Sequence, residues 1–144
     1  MKEKFIGFDI GGTKIFQSIV EIDFGHRKFE FLDSEIVKNP IDAEEIKEIV
    51  TNYCQKSQEK FDTNKIAISS ASIMDYDNLE IKKVDNIYGT DEFSFKFLKE
   101  AGFQVVMEND GEAFALGEYY FDGNEDKQGL LTLTLGFWNR RRFY

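Results

Sequence analysis

The stretch from Phe5 to Ile22 constrains this chain more than any other. An apolar run, Phe5 to Phe8, reads as a buried strand and ends on a carboxylate, Asp9. Gly11 and Gly12 follow, then Thr13 and Lys14. A second run, Ile15 to Ile22, carries the branched residues that strands favour. The simplest geometry is a β-hairpin turning at Gly11-Gly12. Glycine lets such a turn adopt positive φ and leaves no Cβ between its N–H groups and a ligand. Main-chain donors of that kind can cradle phosphate, and Asp9 beside them can hold a hydrated Mg²⁺. A plain hairpin turn without a ligand fits the same residues. The spacing excludes a P-loop, which needs G-x-x-x-x-G-K-[ST].

A length of 144 residues suits one domain with a real core. Fifteen Phe and 42% hydrophobic residues indicate a globular fold rather than disorder. A net charge of −9 disfavours nucleic acid and anionic membranes as partners. Cys54 is the only cysteine, so no internal disulfide forms and a reducing cytoplasm is expected. No apolar run approaches the ~18 residues of a membrane span, and no signal-peptide core precedes the first strand.

Beyond the hairpin, Gly25-His26 reads as a turn, with His26 a surface residue, and Lys28 to Val37 as a third strand. After Pro40, Asp42-Ala43-Glu44-Glu45 resembles a capping box with acids in the first turn. Ile46, Ile49, Val50 and Tyr53 then recur at helical spacing, predicting a helix to about Lys60 with Cys54 packed beside its apolar face. Lys65 to Ser70 is a short strand, 75–77 a turn, and Leu79 to Val84 an extended segment. Asp91 to Ala101 is expected to be helical, closed by Gly102 as the residue after the cap. Phe103 to Met107 is a buried strand, Gly111 to Phe121 a helix, and Leu130 to Leu135 the last strand. Alternating strands and helices in this half imply crossovers and a parallel portion of sheet.

The second informative stretch runs from Glu108 to Glu118. Asp110 falls where a strand becomes a helix, a position that faces a crevice at the carboxyl edge of a sheet. A helix N-cap explains Asn109-Asp110 equally well without any chemistry.

Two motifs carry a resemblance to a known family. Asp9-Ile10-Gly11-Gly12-Thr13-Lys14 resembles the first phosphate motif of the ROK family (repressors, open reading frames and sugar kinases), and Asn109-Asp110 before Leu116-Gly117-Glu118 resembles its catalytic motif. The resemblance implies an α/β, ribonuclease H-like (actin-like ATPase) lobe: a mixed sheet starting with three antiparallel strands and flanked by helices. It implies an ATP-dependent, glucokinase-like sugar kinase. Asp9, Gly11, Gly12, Thr13 and Lys14 would serve ATP, with Asp9 holding Mg²⁺ through water. Asn86, Gly89, Asn109 and Asp110 would face the sugar, and Asp110 would be the base that takes the proton from its attacking hydroxyl. Asn86 lies in Asp85-Asn86-Ile87-Tyr88-Gly89, which fits a plain polar loop as well as the family's sugar-facing loop.

The chain departs from the family pattern in three places. Ser69-Ser70-Ala71-Ser72 stands where a Gly/Pro turn is usual, and Glu112 where a second Asn is usual. The family's second phosphate loop, zinc motif and second lobe do not fit in the nine residues after Leu135. Residues 1–135 are therefore expected to be an N-terminal lobe, inactive alone and prone to self-association through the surface left bare. Residues 136–144 are expected to be an aberrant tail. One permitted codon choice for Gly136 to Tyr144, with one T deleted, reads Gly-Phe-Gly-Ile-Gly-Gly-Gly-Phe, which resembles the missing phosphate loop. A single-nucleotide insertion in a T run would produce it. Two other readings stay open: a non-enzymatic ROK-type regulator, disfavoured by the acidic charge and the short segment before Asp9, and a sugar- or nucleotide-binding module.

Overall fold

The computed structural model describes residues 1–123; the expected strand at 130–135 and the arginine-rich tail lie outside the described residues. In chain order the elements are β1 (Lys2–Ile10), β2 (Lys14–Asp23), β3 (Lys28–Lys38), α1 (Ala43–Phe61), β4 (Lys65–Ser70) and β5 (Ile73–Asp75). They continue with β6 (Glu80–Lys82), α2 (Asp85–Tyr88), β7 (Glu92–Ser94), α3 (Lys96–Glu100), β8 (Gln104–Asn109) and α4 (Asp110–Phe121).

Two apolar runs joined by three residues have no choice but to pair antiparallel, and β1 meets β2 from Lys2↔Asp23 to Ile10↔Ile15. β3 adds to β2 with a register shift between Ile19 and Val20. On the other side β4 joins β1, and β8 joins β4, both in parallel. The five-stranded order is β3-β2-β1-β4-β8, the mixed sheet expected from the sequence.

The period of two divides this sheet into two faces. One face presents Ile6, Phe8, Ile10, Ile15, Ile19, Ile66 and Ile68, all buried against α1 and the segments after β4. Helix α1 starts where Asp42 Oδ1 accepts from the N–H groups of Glu44 and Glu45 at 3.1 and 3.0 Å. It buries Ile46, Val50, Tyr53 and Cys54, and Tyr53 meets Phe8 edge-to-face with centroids 5.8 Å apart. Each fully buried aliphatic contributes about 1.5–3 kcal/mol. Burial pushes the Cys54 thiol up to about 12, which suits the packing role expected for it.

Three expectations need correction. Residues 91–101 do not form one helix. The alternation Glu92-Phe93-Ser94-Phe95 puts Phe93 and Phe95 on one side of an extended segment, and both are buried. Phe93 stacks on Tyr88 at 4.4 Å, so β7 completes a second, antiparallel sheet of order β5-β6-β7, and only Lys96–Glu100 is helical. The extended segment at 79–84 is shorter than expected: Leu79 (φ 51°) and Lys83 (φ 58°) bend the backbone on either side of β6. Asp85–Gly89 is not an open loop but one helical turn, α2, because Ile87 and Tyr88 are apolar enough to be drawn into the core. Gly102 follows α3 with φ +92°, as expected of a residue after the cap. No helix among the described residues is long and apolar enough to cross a membrane.

Gly89 (φ +69°) and Gly102 test how tightly the second half is built. A Cβ on Gly89 would lie 2.4 Å from the Ile41 carbonyl oxygen, whereas one on Gly102 meets nothing within 4 Å. Gly102→Ala should lose about 1–2 kcal/mol, the left-handed backbone term alone. Gly89→Ala should lose clearly more in urea denaturation, and equal losses would mean that the Ile41 backbone yields freely.

Candidate functional site

Parallel pairing brings three strand ends into line. Asp9 lies beside Ser69 and Ser69 beside Glu108; one step on, Ile10 lies beside Ser70 and Ser70 beside Asn109. Alternation sends Asp9, Ser69 and Glu108 to the sheet face opposite α1. Ser69 Oγ donates to Asp9 Oδ1 at 2.7 Å, so one carboxylate oxygen is fixed, and Asp9 makes no ion pair among the described residues. Two strand spacings, about 10 Å, separate β1 from β8 at this edge. That is the width of a crevice that could take a phosphate and a hydroxyl together.

The Gly11–Thr13 turn caps the end of β1. Gly11 N–H donates to Lys14 O at 3.0 Å, while the N–H groups of Gly12 and Thr13 donate to nothing among the described residues. Neither glycine has positive φ, contrary to expectation. A Cβ on Gly12 would sit in ordinary contact, 3.5 Å from the Asn86 carbonyl oxygen. Asn86 therefore adjoins Gly12, and Thr13, Lys14 and Asn86 are exposed. Gly89 sits further back, against the Ile41 backbone.

At the end of β8, Asn109 caps α4, with Oδ1 accepting from Gly111 N–H at 3.0 Å and Nδ2 donating to Ser72 O at 3.2 Å. The capping role anticipated as the alternative is thus real for Asn109. Asp110 is exposed, and its Oδ1 accepts from Gly111 N–H at 2.8 Å. A cavity of about 660 Å³ opens below this edge, lined by Asp9, Ser69, Glu108, Phe16, Phe31 and Leu116 among others. Of the expected ligand-binding and catalytic residues only Asp9 lines it; Gly11, Gly12, Asn109 and Asp110 do not.

Three groups at the site carry no recognisable sequence signal. Ser70, fully buried, donates to Ile10 O at 3.0 Å and accepts from Tyr88 Oη at 2.9 Å, which anchors α2 to the end of β1. Asn39 is 2% exposed and hydrogen-bonds both the glycine turn and α2. Tyr76 Oη donates to Glu108 Oε1 at 2.6 Å and lies 3.2 Å from Glu112 Oε2. That tyrosine holds Glu108 below the ordinary carboxylate range, while hydrogen bonding to Glu108 pushes Glu112 up. Glu112, which stands where the family usually has a second Asn, is thus turned toward Tyr76 and Glu108.

The ROK family model matches residues 5–137. Among curated proteins, a glucokinase of Streptomyces coelicolor is 27% identical over 91% of this chain and 40% of its own length. An N-acetyl-D-glucosamine kinase of Histophilus somni is 34% identical over 92% of this chain and 43% of its own. Among solved structures, a ROK family glucokinase of Streptomyces griseus in complex with glucose and AMPPNP superposes with a TM-score of 0.66. It is 30% identical and matches 83% of this chain and 37% of that one. The chain spans about two fifths of the length of the curated relatives it matches.

Glu112 gives a pH-dependent test. A carboxyl raised in the folded state contributes stability that is complete below its unfolded value and is lost as pH rises through the folded value. Glu112→Gln removes that loss, so the variant should melt higher than the parent near neutral pH. The gain should vanish on acidification below the ordinary carboxylate range. A variant equal to the parent at both ends would show that Glu108 and Glu112 do not share the proton.

Proposed function

The chain belongs to the ROK family, and we propose that it forms the N-terminal lobe of an ATP-dependent sugar kinase, which moves the γ-phosphoryl group of ATP to a sugar hydroxyl. The observation that carries this reading is the alignment at one sheet edge of Asp9, the open amides of Gly12 and Thr13, and the Asn109-Asp110 pair.

The residues present suit a hydrated Mg²⁺ beside ATP. Asp9 offers a hard carboxylate oxygen already oriented by Ser69. Bound there, Mg²⁺ supplies neutralisation of phosphate charge. The chain's own work is different. Gly12 and Thr13 amides would orient phosphate oxygens, and the exposed Lys14 would add a positive charge to the same turn. Asn109, held by Gly111 and Ser72, would fix the sugar's position. Asp110, exposed at the first turn of α4, would accept the proton of the attacking hydroxyl as the new P–O bond forms.

Transfer depends on positioning, so the described lobe should be inactive without a second one that closes over the sugar and nucleotide. The face opposite α1 leaves Phe31, Val106 and Leu116 more than half exposed, and self-association through it is part of this reading.

In a complete, two-lobed protein carrying this sequence, Asp110→Asn should lower kcat about 10²-fold or more with little change in the KM for ATP. An unchanged kcat would remove Asp110 from the mechanism. Isothermal titration with Mg-ATP and a panel of hexoses separates a kinase lobe from a binding module: binding without turnover in the two-lobed protein would favour the module.

A further inference from the structure

The glycine turn and α2 are far apart in sequence; beside the approach of Gly12 to Asn86, one buried side chain hydrogen-bonds to both. Asn39 Nδ2 donates to Gly11 O at 2.6 Å and to Ile87 O at 2.9 Å, spending both of its hydrogens. Its Oδ1 accepts from Ile41 N–H at 2.8 Å, and its own N–H donates to Thr13 O at 3.1 Å. The amide orientation follows from these partners: two carbonyls need the nitrogen, and the N–H of Ile41 needs the oxygen. Ile41 is in the left-handed region at φ 53°, an outlier for a β-branched residue, and its carbonyl backs directly onto Gly89. Such strain persists only where the surroundings over-determine it.

We propose that Asn39 is a positioning residue that couples the Gly11–Thr13 turn to the Asn86–Gly89 segment, so that occupancy of either loop is felt by the other. This inference rests on the reading above, in which one loop serves nucleotide phosphate and the other the sugar. The chemistry is selective. A neutral amide is the one side chain of this size that gives two donors to two carbonyls and an acceptor to a neighbouring N–H. Aspartate keeps the shape and the bond to Ile41 but sets a carboxylate against both carbonyls.

The test uses the ¹⁵N-labelled 144-residue chain and amide spectra without ligand. Gly11→Ala perturbs the turn locally, since the added Cβ meets only Lys14 O at 3.5 Å. In the parent this change should shift the amides of Ile87, Tyr88 and Gly89 as well as those of the turn. In the Asn39→Asp background the remote shifts should fall about threefold or more, the non-additivity expected of a coupled pair. Asn52→Asp, the same charge change on an exposed position of α1, should leave them intact. If Asn39→Asp does not fold, Asn39→Ser, which retains one donor, carries the comparison. Remote shifts of full size in the Asn39 variant would overturn the proposal, as would their absence in the parent. Adding Mg-ATP or glucose to the parent is a separate arm: no response there counts against the ligand assignment while leaving the Asn39 linkage to stand or fall on the ligand-free spectra.

Discussion

Parallel hydrogen bonding between β1, β4 and β8 is the constraint on which the candidate site depends. It fixes Asp9, Ser69 and Glu108 in one row and Ile10, Ser70 and Asn109 in the next. A shift of one residue in either pairing would send these side chains to the opposite face. Register is held by burial: Ile6, Ile66 and Val105 are paired across three strands and all are buried against the α1 side. A chemistry that needs groups from residues 9 and 110 therefore draws its precision from aliphatic packing elsewhere in the same strands.

Polar ties then fasten the connecting segments to that frame. Ser70 links Tyr88 to Ile10, Asn109 links Ser72 to α4, and Asn39 links Gly11 to Ile87. Each is buried or half-buried, where an unpaired group costs about 1–3 kcal/mol, so removing one partner is worse than never having had the pair. The left-handed Ile41 and the close approach of Gly89 to it are the local costs of bringing α2 against the glycine turn.

Elements with a clear period were legible in the sequence. The hairpin, the third strand, α1 with its Asp42 cap, β4 and the β8–α4 junction lie where alternation, helical spacing and capping residues put them. The second sheet was not. Its strands are three residues each, too short for alternation to outweigh helix-forming neighbours such as Leu98 and Lys99. Phe93 and Phe95 held the only cue, and it takes the stacked Tyr88 to give it meaning. At the candidate site, Asp9 and Asp110 stand out in the sequence because they fall in stretches that resemble family motifs. Asn39 does not, because an Asn before Pro reads as an ordinary turn until the chain brings two carbonyls to it. Gly11 and Gly12 stand out in the sequence for the positive φ that glycine allows, and neither adopts it.

The central proposal is that the carboxyl ends of β1, β4 and β8 form one edge that takes nucleotide phosphate at β1 and sugar at β8. Paramagnetic broadening by Mn²⁺ added with ATP tests it most directly, since Mn²⁺ takes the same hard oxygen ligands as Mg²⁺. The expected result is selective loss of the amide signals of Asp9 to Lys14 and Ser69, dependent on ATP and abolished by Asp9→Asn. Broadening centred on the acidic second sheet, around Glu80 and Glu92, or unchanged by Asp9→Asn, would contradict the account.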